Sequence, residues 1–355
     1  MLNEENKIIS NILSEWNHEV TFCEFDGQYI GELEKLLDEF IALIEKHEVD
    51  ITEALLVKDS LLLTIQKTYE GLWQDAYSKI LYVIKILKDR NSRLALCSLD
   101  DLILGAKENG VDLFRARLSE DYMAYKASDM QHIPFEKRQF SVNGRFSLAG
   151  LPCTYLGNSS FCCWVEMGRP PINQLNVSYA RADADLHYLN LLCLHHDQEG
   201  TIAEINDWIV LKMLQISTSF IINEKQRKFK SEYIISQMIM RVCRKLNIDG
   251  VVYYSNRLDR GIYSWAAINV VVIPNYDSVK RFANNDTKLK LFDSENFAMY
   301  KELSNPEKNG EDVTLSNVFS NGISYGNSLF LIDYKHTSFY KFDRYLKKMY
   351  TQNIK

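Results

Sequence analysis

The stretch Leu151-Pro152-Cys153-Thr154-Tyr155-Leu156-Gly157, followed by Ser159-Ser160-Phe161-Cys162-Cys163-Trp164-Val165-Glu166, decides how this chain is read. Thr154, Tyr155 and Leu156 have the β-branched and aromatic character of a strand, and Pro152 fits only at its start because proline donates no ladder hydrogen bond. Gly157-Asn158 ends the strand. Ser159 or Ser160 then supplies an N-cap oxygen for a helix from Phe161 to Met167, which Gly168 and Pro170-Pro171 close. Glu166 therefore falls at the end of a short helix among apolar neighbours. Negative charge is unfavourable at a helix C-terminus, so local helix energetics do not explain this residue.

Further strands and helices flank this stretch. Upstream, Leu113-Phe114-Arg115-Ala116-Arg117 alternates apolar and basic residues like a strand. Downstream, Asn176 to Tyr179, Leu189 to Leu194, Gly250 to Ser255 and Ile268 to Ile273 read as strands, and Trp208 to Leu214 and Ser231 to Leu246 as helices. Strands broken unevenly by helices favour α+β over a doubly wound sheet. No GxGxxG follows a strand, so a Rossmann cleft is not expected.

The first third is of another kind. It holds no proline before Pro134, and apolar residues recur at helical spacing in Leu33, Leu36, Leu37, Phe40, Ile41, Ile44 and again in Trp73, Tyr77, Ile80, Leu81, Ile84, Leu87. A third helical pattern fills Thr52 to Tyr69. Residues 1 to about 110 thus read as an all-helical bundle, the aromatics being core. After Pro274 the signal fades to a loop at Ser304 to Gly310, a late strand at Ser328 to Asp333 and a basic, aromatic terminal helix at Phe339 to Tyr350.

Composition excludes several classes. With 355 residues, 46% of them hydrophobic, the chain can bury more than one core. The N-terminus lacks the basic region and apolar run of a signal peptide, and no apolar run is long enough to span a bilayer, so a cytoplasmic protein is expected. Seven cysteines without CxxC spacing argue against a disulfide framework and a zinc ribbon, and Cys162-Cys163 is read as helix packing. His195-His196-Asp197 lacks a third ligand, so no metal is expected. A net charge of -6 argues against general nucleic-acid binding, and the run Lys225 to Lys230 is read as a solvated lead-in to the next helix.

Taken together, Gly144-Arg145-Phe146-Ser147, Tyr155, Glu166, the upstream Arg115 and the downstream Ser255 resemble the core of the RES domain family, named for its Arg, Glu and Ser. Four segments in the family's order cover about half the chain, from Val111 to Pro274. Arg115 is the better match to the family arginine and Arg117 the fallback. Members are toxins of bacterial toxin and antitoxin pairs that act on NAD, with a fold similar to ADP-ribosyltransferases. The resemblance implies a helical domain at 1–110, a RES catalytic domain at 111–290 and a C-terminal extension at 291–355. The helical part resembles the HEPN-like domains found beside RES domains. HEPN ribonucleases pair an Arg with a His four to six residues later; no histidine follows Arg90 or Arg93 so, and the likeness is to the scaffold. The pair Arg181 and His187 has that spacing by coincidence.

The resemblance assigns Glu166, Arg115 and Ser255 to catalysis, and Arg115, Arg145, Tyr155 and Ser255 to NAD, which is substrate. Their chemistry suits it. Guanidinium groups bind phosphate oxygens through a planar fork, a tyrosine can stack on nicotinamide, and a fixed carboxylate stabilises the cation that develops at C1′ of the ribose. Ser255 lacks a partner base and is read as orienting by hydrogen bonding. The expected reaction is cleavage of the nicotinamide–ribose bond, with water or phosphate as acceptor. Transfer of ADP-ribose to a macromolecule is the alternative, and an inactive binding or immunity module is the alternative of another class. An antitoxin or regulatory protein is the implied partner; the sequence leaves the oligomeric state open.

Overall fold

Ser159 holds extended backbone and its Oγ accepts from Cys162 N at 2.9 Å, so the helix over Ser160–Glu166 starts where the serine cap predicts. Its end is a glycine stop. Gly168 takes φ +88, Gly168 N donates to Val165 O at 3.0 Å and Arg169 N to Trp164 O at 2.9 Å, the paired bonds of a Schellman turn. The preceding strand covers Thr154–Gly157. Gly157 is required there by close approach: a Cβ on it would lie 3.0 Å from Cys163 Sγ and 3.2 Å from Ser159 O. Gly157→Ala is expected to cost about 1–3 kcal/mol by overpacking, read as a lower midpoint in denaturant unfolding.

The computed structural model describes residues 4–16, 22–23, 28–102, 112–120, 122–193, 205–222, 227–257, 267–282, 289–304, 334 and 337–351. In chain order the elements begin with α1 (Glu4–Glu15), β1 (Phe22–Cys23), α2 (Gln28–Lys46), α3 (Thr52–Tyr69), α4 (Trp73–Asp89), β2 (Leu96–Cys97) and α5 (Leu99–Leu102). The central part contains β3 (Asp112–Leu118), β4 (Thr154–Gly157), α6 (Ser160–Glu166), β5 (Leu175–Ala182), β6 (Tyr188–Asn190), α7 (Ile205–Thr218), β7 (Ile221–Ile222) and α8 (Ile234–Lys245). The last are β8 (Gly250–Tyr254), β9 (Ile268–Val272), β10 (Leu289–Asn296), α9 (Phe297–Ser304) and α10 (Ser338–Thr351). The fold is α+β, helical first and mixed thereafter.

Two units share the chain, and they are interleaved. The first gathers residues 1–97, 142–149 and 187–251, the second 98–141, 150–186 and 252–355, whereas the sequence reading drew serial divisions at 110 and 290. The physical reason lies in α7. It buries Trp208, Ile209, Val210, Leu211, Met213 and Leu214, residues that point around the whole helix, so it needs helical neighbours on every side. Those neighbours come from the N-terminal third. Phe40 of α2 meets Trp208 with ring centroids 6.0 Å apart, and Tyr29 donates to Ser217 O at 2.6 Å. Two short strands accompany the helices of the N-terminal third: β1 runs parallel to β7, and β2 pairs antiparallel with β6.

The second unit is built on strands in the order β10-β5-β3-β4-β9-β8, of which β8 begins at Gly250 in the first unit. β10, β5, β3, β4 and β9 pair antiparallel in turn. β3 and β4 share a single register pair, Phe114 with Gly157. One face carries a core of Phe114, Tyr179, Phe161, Trp164, Phe297, Phe339 and Phe342. The terminal helix, expected from Phe339 to Tyr350, supplies Phe339, Phe342 and Tyr350 to this core and packs on α6 directly. β10 and α9 were not foreseen. The expected late strand at Ser328 to Asp333 and the loop from 305 to 310 lie outside the described residues.

Candidate functional site

Glu166 is the last residue of α6, where the helix end brings its carboxylate to the ends of β8 and β9. Ser255 follows β8 directly and its N–H donates to Ala267 O at 2.9 Å, which locks it beside the start of β9. Both neighbours then converge on one carboxylate oxygen. Ser255 Oγ donates to Glu166 Oε1 at 2.6 Å, and Asn269 Nδ2 donates to the same oxygen at 2.8 Å. Cys162 Sγ donates to Asn269 Oδ1 at 3.3 Å, so the amide is oriented with its nitrogen toward Glu166. Ser255 and Asn269 are 6% and 5% exposed, whereas the Glu166 side chain keeps 34%. The carboxylate is therefore gripped on one oxygen while its side chain stays partly exposed to solvent.

The second oxygen faces a cation. Arg257 Nε lies 3.5 Å from Glu166 Oε2, its Nη1 is 3.5 Å from Val165 O, and its backbone N donates to Ser255 Oγ at 3.2 Å. A guanidinium at this helix end offsets both the carboxylate and the negative pole of α6. The charge that helix energetics disfavour is thus compensated from outside the helix.

Arg115 and Arg117 form a second positive group, on β3. Arg115 Nη1 donates to Tyr155 O at 3.4 Å and Nη2 to Gln131 O at 3.1 Å, and Arg117 Nη2 reaches Gln131 O at 2.6 Å. Arg115 thereby links β3 to β4 beside their single register pair. Burial, with the neighbouring Arg117 charge, lowers the Arg115 guanidinium to about 9, so it remains charged at neutral pH. No carboxylate lies within ion-pair distance of either arginine among the described residues, and buried Nε atoms of both lack a partner there. Uncompensated buried cations are costly, which makes this pair a place where an anion is favoured.

Tyr155 is 38% exposed on β4, next to the carbonyl that Arg115 holds. Arg145 belongs to the first unit: its Nη1 donates to Thr218 O at 3.0 Å and its guanidinium lies 5.2 Å from the centre of the Phe146 ring. Of the residues singled out in the sequence, direct bonds join Glu166 to Ser255 and Arg115 to Tyr155. Cys162 and Cys163 are buried, and burial pushes the Cys163 thiol up to about 12, which makes it a packing residue and not a nucleophile.

Comparison with known proteins adds the following. No family model matches the chain. Over 281 residues, 72% of its length, the chain is 29% identical to a Bacillus subtilis (strain 168) protein described as "Putative toxin YopC". It is similar to a protein named as a toxin. The chain spans 58% of the length of that relative. A chain from the crystal structure of the M. tuberculosis MbcT-MbcA toxin-antitoxin complex covers 54% of this chain with 87% of its own length, at 16% identity and a TM-score of 0.30, a likeness too slight to carry an argument.

Sequence reasoning missed Arg257 and Asn269. Asn269 had a signal, an amide inside the β-branched run Ile268-Asn269-Val270-Val271-Val272, which is tolerated in a buried strand only with partners. Arg257, in a turn after β8, had none. His195, His196 and Asp197 lie outside the described residues; within those, no group of three or more His, Cys, Asp or Glu is placed to hold a metal ion. No helix among the described residues is long and apolar enough to cross a membrane.

The other end of α6 is held by a buried acid. Asp343 Oδ1 accepts from Ser160 N at 3.0 Å, and Tyr334 donates its hydroxyl to Asp343 Oδ2. Burial raises the Asp343 carboxyl to about 7. Because the folded state binds this proton more tightly than the unfolded chain, whose Asp titrates near 4, its contribution is fully present below about pH 4 and is lost as pH rises toward 7. Asp343→Asn is expected to flatten the fall in stability across that window. Denaturant midpoints measured at pH 4.5 and 7.5 for both proteins check this, and equal pH dependence contradicts it.

Proposed function

We propose that this chain is an NAD-consuming enzyme of the toxin type, which cleaves the bond between nicotinamide and ribose. The observation that carries the reading is the grip on Glu166: two donors on Oε1 fix a partly exposed carboxylate whose second oxygen has only a loose 3.5 Å contact with Arg257. A preorganised charge of this kind acts where positive charge develops, at the ribose carbon as the glycosidic bond breaks.

In the proposed reaction the ribose hydroxyls hydrogen-bond to Glu166, and Tyr155 stacks on the nicotinamide ring. The C1′–N1 bond breaks and its electron pair goes to N1, which neutralises the pyridinium charge of the leaving nicotinamide. The resulting ribosyl cation is stabilised by the Glu166 carboxylate. Water adds to C1′ and gives up a proton to solvent, yielding ADP-ribose; with phosphate as acceptor the product is ADP-ribose 1″-phosphate. Arg115, with both terminal nitrogens on backbone carbonyls, and Arg117, with Nη2 on one, act on the diphosphate through their field. Ser255 positions Glu166 by its hydrogen bond. The proposed partner that restrains the protein is an antitoxin or regulatory protein.

The test is expression of the full chain in a bacterial host. Growth arrest with a falling NAD pool is expected from the natural sequence, and neither from Glu166→Gln at equal protein level. An unchanged NAD pool in arrested or growing cells would overturn the reading.

A further inference from the structure

We infer that Arg257 contacts the phosphate carried by the nicotinamide ribose, and that it selects a dinucleotide over the bare nucleoside; this deepens the reading of the site given above and rests on it. The 5′-phosphate is attached to the same ribose whose hydroxyls Glu166 would hold. A guanidinium already against Glu166 Oε2 is therefore one side chain's swing from that phosphate.

Two features favour Arg257 over Arg115. Its side chain is 42% exposed, whereas Arg115 is 8% exposed and has both terminal nitrogens on backbone carbonyls. Its contacts with Glu166 Oε2 and Val165 O are both 3.5 Å, loose for an ion pair and a hydrogen bond, and a half-exposed pair of this kind is worth little. The guanidinium is thus exchangeable between the carboxylate and an incoming phosphate, which its planar fork fits through two donors at once.

The local charge gives the residue a second reason to be there. The C-terminal pole of α6 and the Glu166 carboxylate are both negative, and a phosphate brought beside them would be repelled. Arg257 is the cation that touches both, through Val165 O and Glu166 Oε2. It also lies over the helix stop, with Nη1 3.6 Å from where a Cβ on Gly168 would stand. Glu166 keeps its two donors, Ser255 and Asn269, when Arg257 moves, so the carboxylate stays in place.

The experiment compares the full chain with Arg257→Gln and Arg257→Lys on two probes, NAD and nicotinamide riboside, which lacks the phosphate. Arg257→Gln is expected to lower kcat/KM for NAD at least tenfold, through KM, with a smaller loss on nicotinamide riboside, and Arg257→Lys to recover part of it. Equal losses on both substrates, or a loss confined to kcat, would overturn the phosphate contact in favour of a role through Glu166. Calorimetric binding of ADP-ribose separates this inference from the reading it rests on. Binding weakened at least tenfold in Arg257→Gln, with an unchanged thermal midpoint, supports the contact even if NAD is not cleaved; unchanged binding overturns it even if cleavage depends on Glu166.

Discussion

Phe339→Ala is expected to lower the unfolding free energy by about 3–5 kcal/mol, the range for removing a large aromatic from a packed core. Phe339 has no exposed surface, stacks on Phe297 with centroids 4.5 Å apart at 8°, and meets Trp164 and Phe161 of α6 at 5.4 and 5.5 Å. A cavity there removes packing from both aromatics that fix α6, so the helix that ends in Glu166 loses its backing. Urea unfolding followed by tryptophan fluorescence measures the loss. A change below 1 kcal/mol would mean that α10 does not complete this core. Phe342→Leu, which keeps most of the apolar volume nearby, serves as a milder control, since retained volume costs less than an open cavity.

Glu166→Gln is expected to lower kcat for nicotinamide release by roughly a hundred- to a thousandfold, the scale for removing one preorganised electrostatic group from a reacting centre. The substitution isolates charge from geometry. A glutamine Oε1 still accepts from Ser255 and Asn269, so the side chain keeps its seat while the carboxylate is lost. Removing the charge relieves an unfavourable interaction with the C-terminal pole of α6 and gives up only a loose 3.5 Å pair with Arg257, so folding stability should stay nearly unchanged. A loss of activity with an intact thermal midpoint is therefore the expected pair of results.

Much of the second unit was legible because its elements carry local signals. The Ser159 cap, the Gly168 stop and the β-branched run from Ile268 fix α6 and β9 within a residue or two of the sequence reading. β10 escaped for a physical reason. Ser294 and Asn296 are buried polar residues satisfied by hydrogen bonds, and a register shift falls between Leu291 and Ser294, so apolar alternation breaks where the strand does not. β6 is shorter than the expected run from Leu189 because Leu192 N turns to donate to Asn190 Oδ1, a local bond that competes with the ladder.

At the site, Glu166 and Ser255 were legible together, since a serine at a strand end and a carboxylate at a helix end are each visible in local pattern. Their neighbours were not. Asn269 hides in a strand whose apolar character dominates the reading, and Arg257 is one arginine in a turn, defined only by what the tertiary fold brings to it. Interleaving of the units was hidden for the same reason: α7 declares that it is buried, but periodicity does not say by which helices.

The measurement that bears most directly on the central claim is the time course of nicotinamide release from NAD by the purified full chain and by Glu166→Gln, folded to the same extent by circular dichroism. One nicotinamide for each NAD consumed is expected from the natural sequence, and a rate at least about a hundredfold lower from the variant. NAD left intact by the folded natural protein, or equal rates for the two, would contradict the claim.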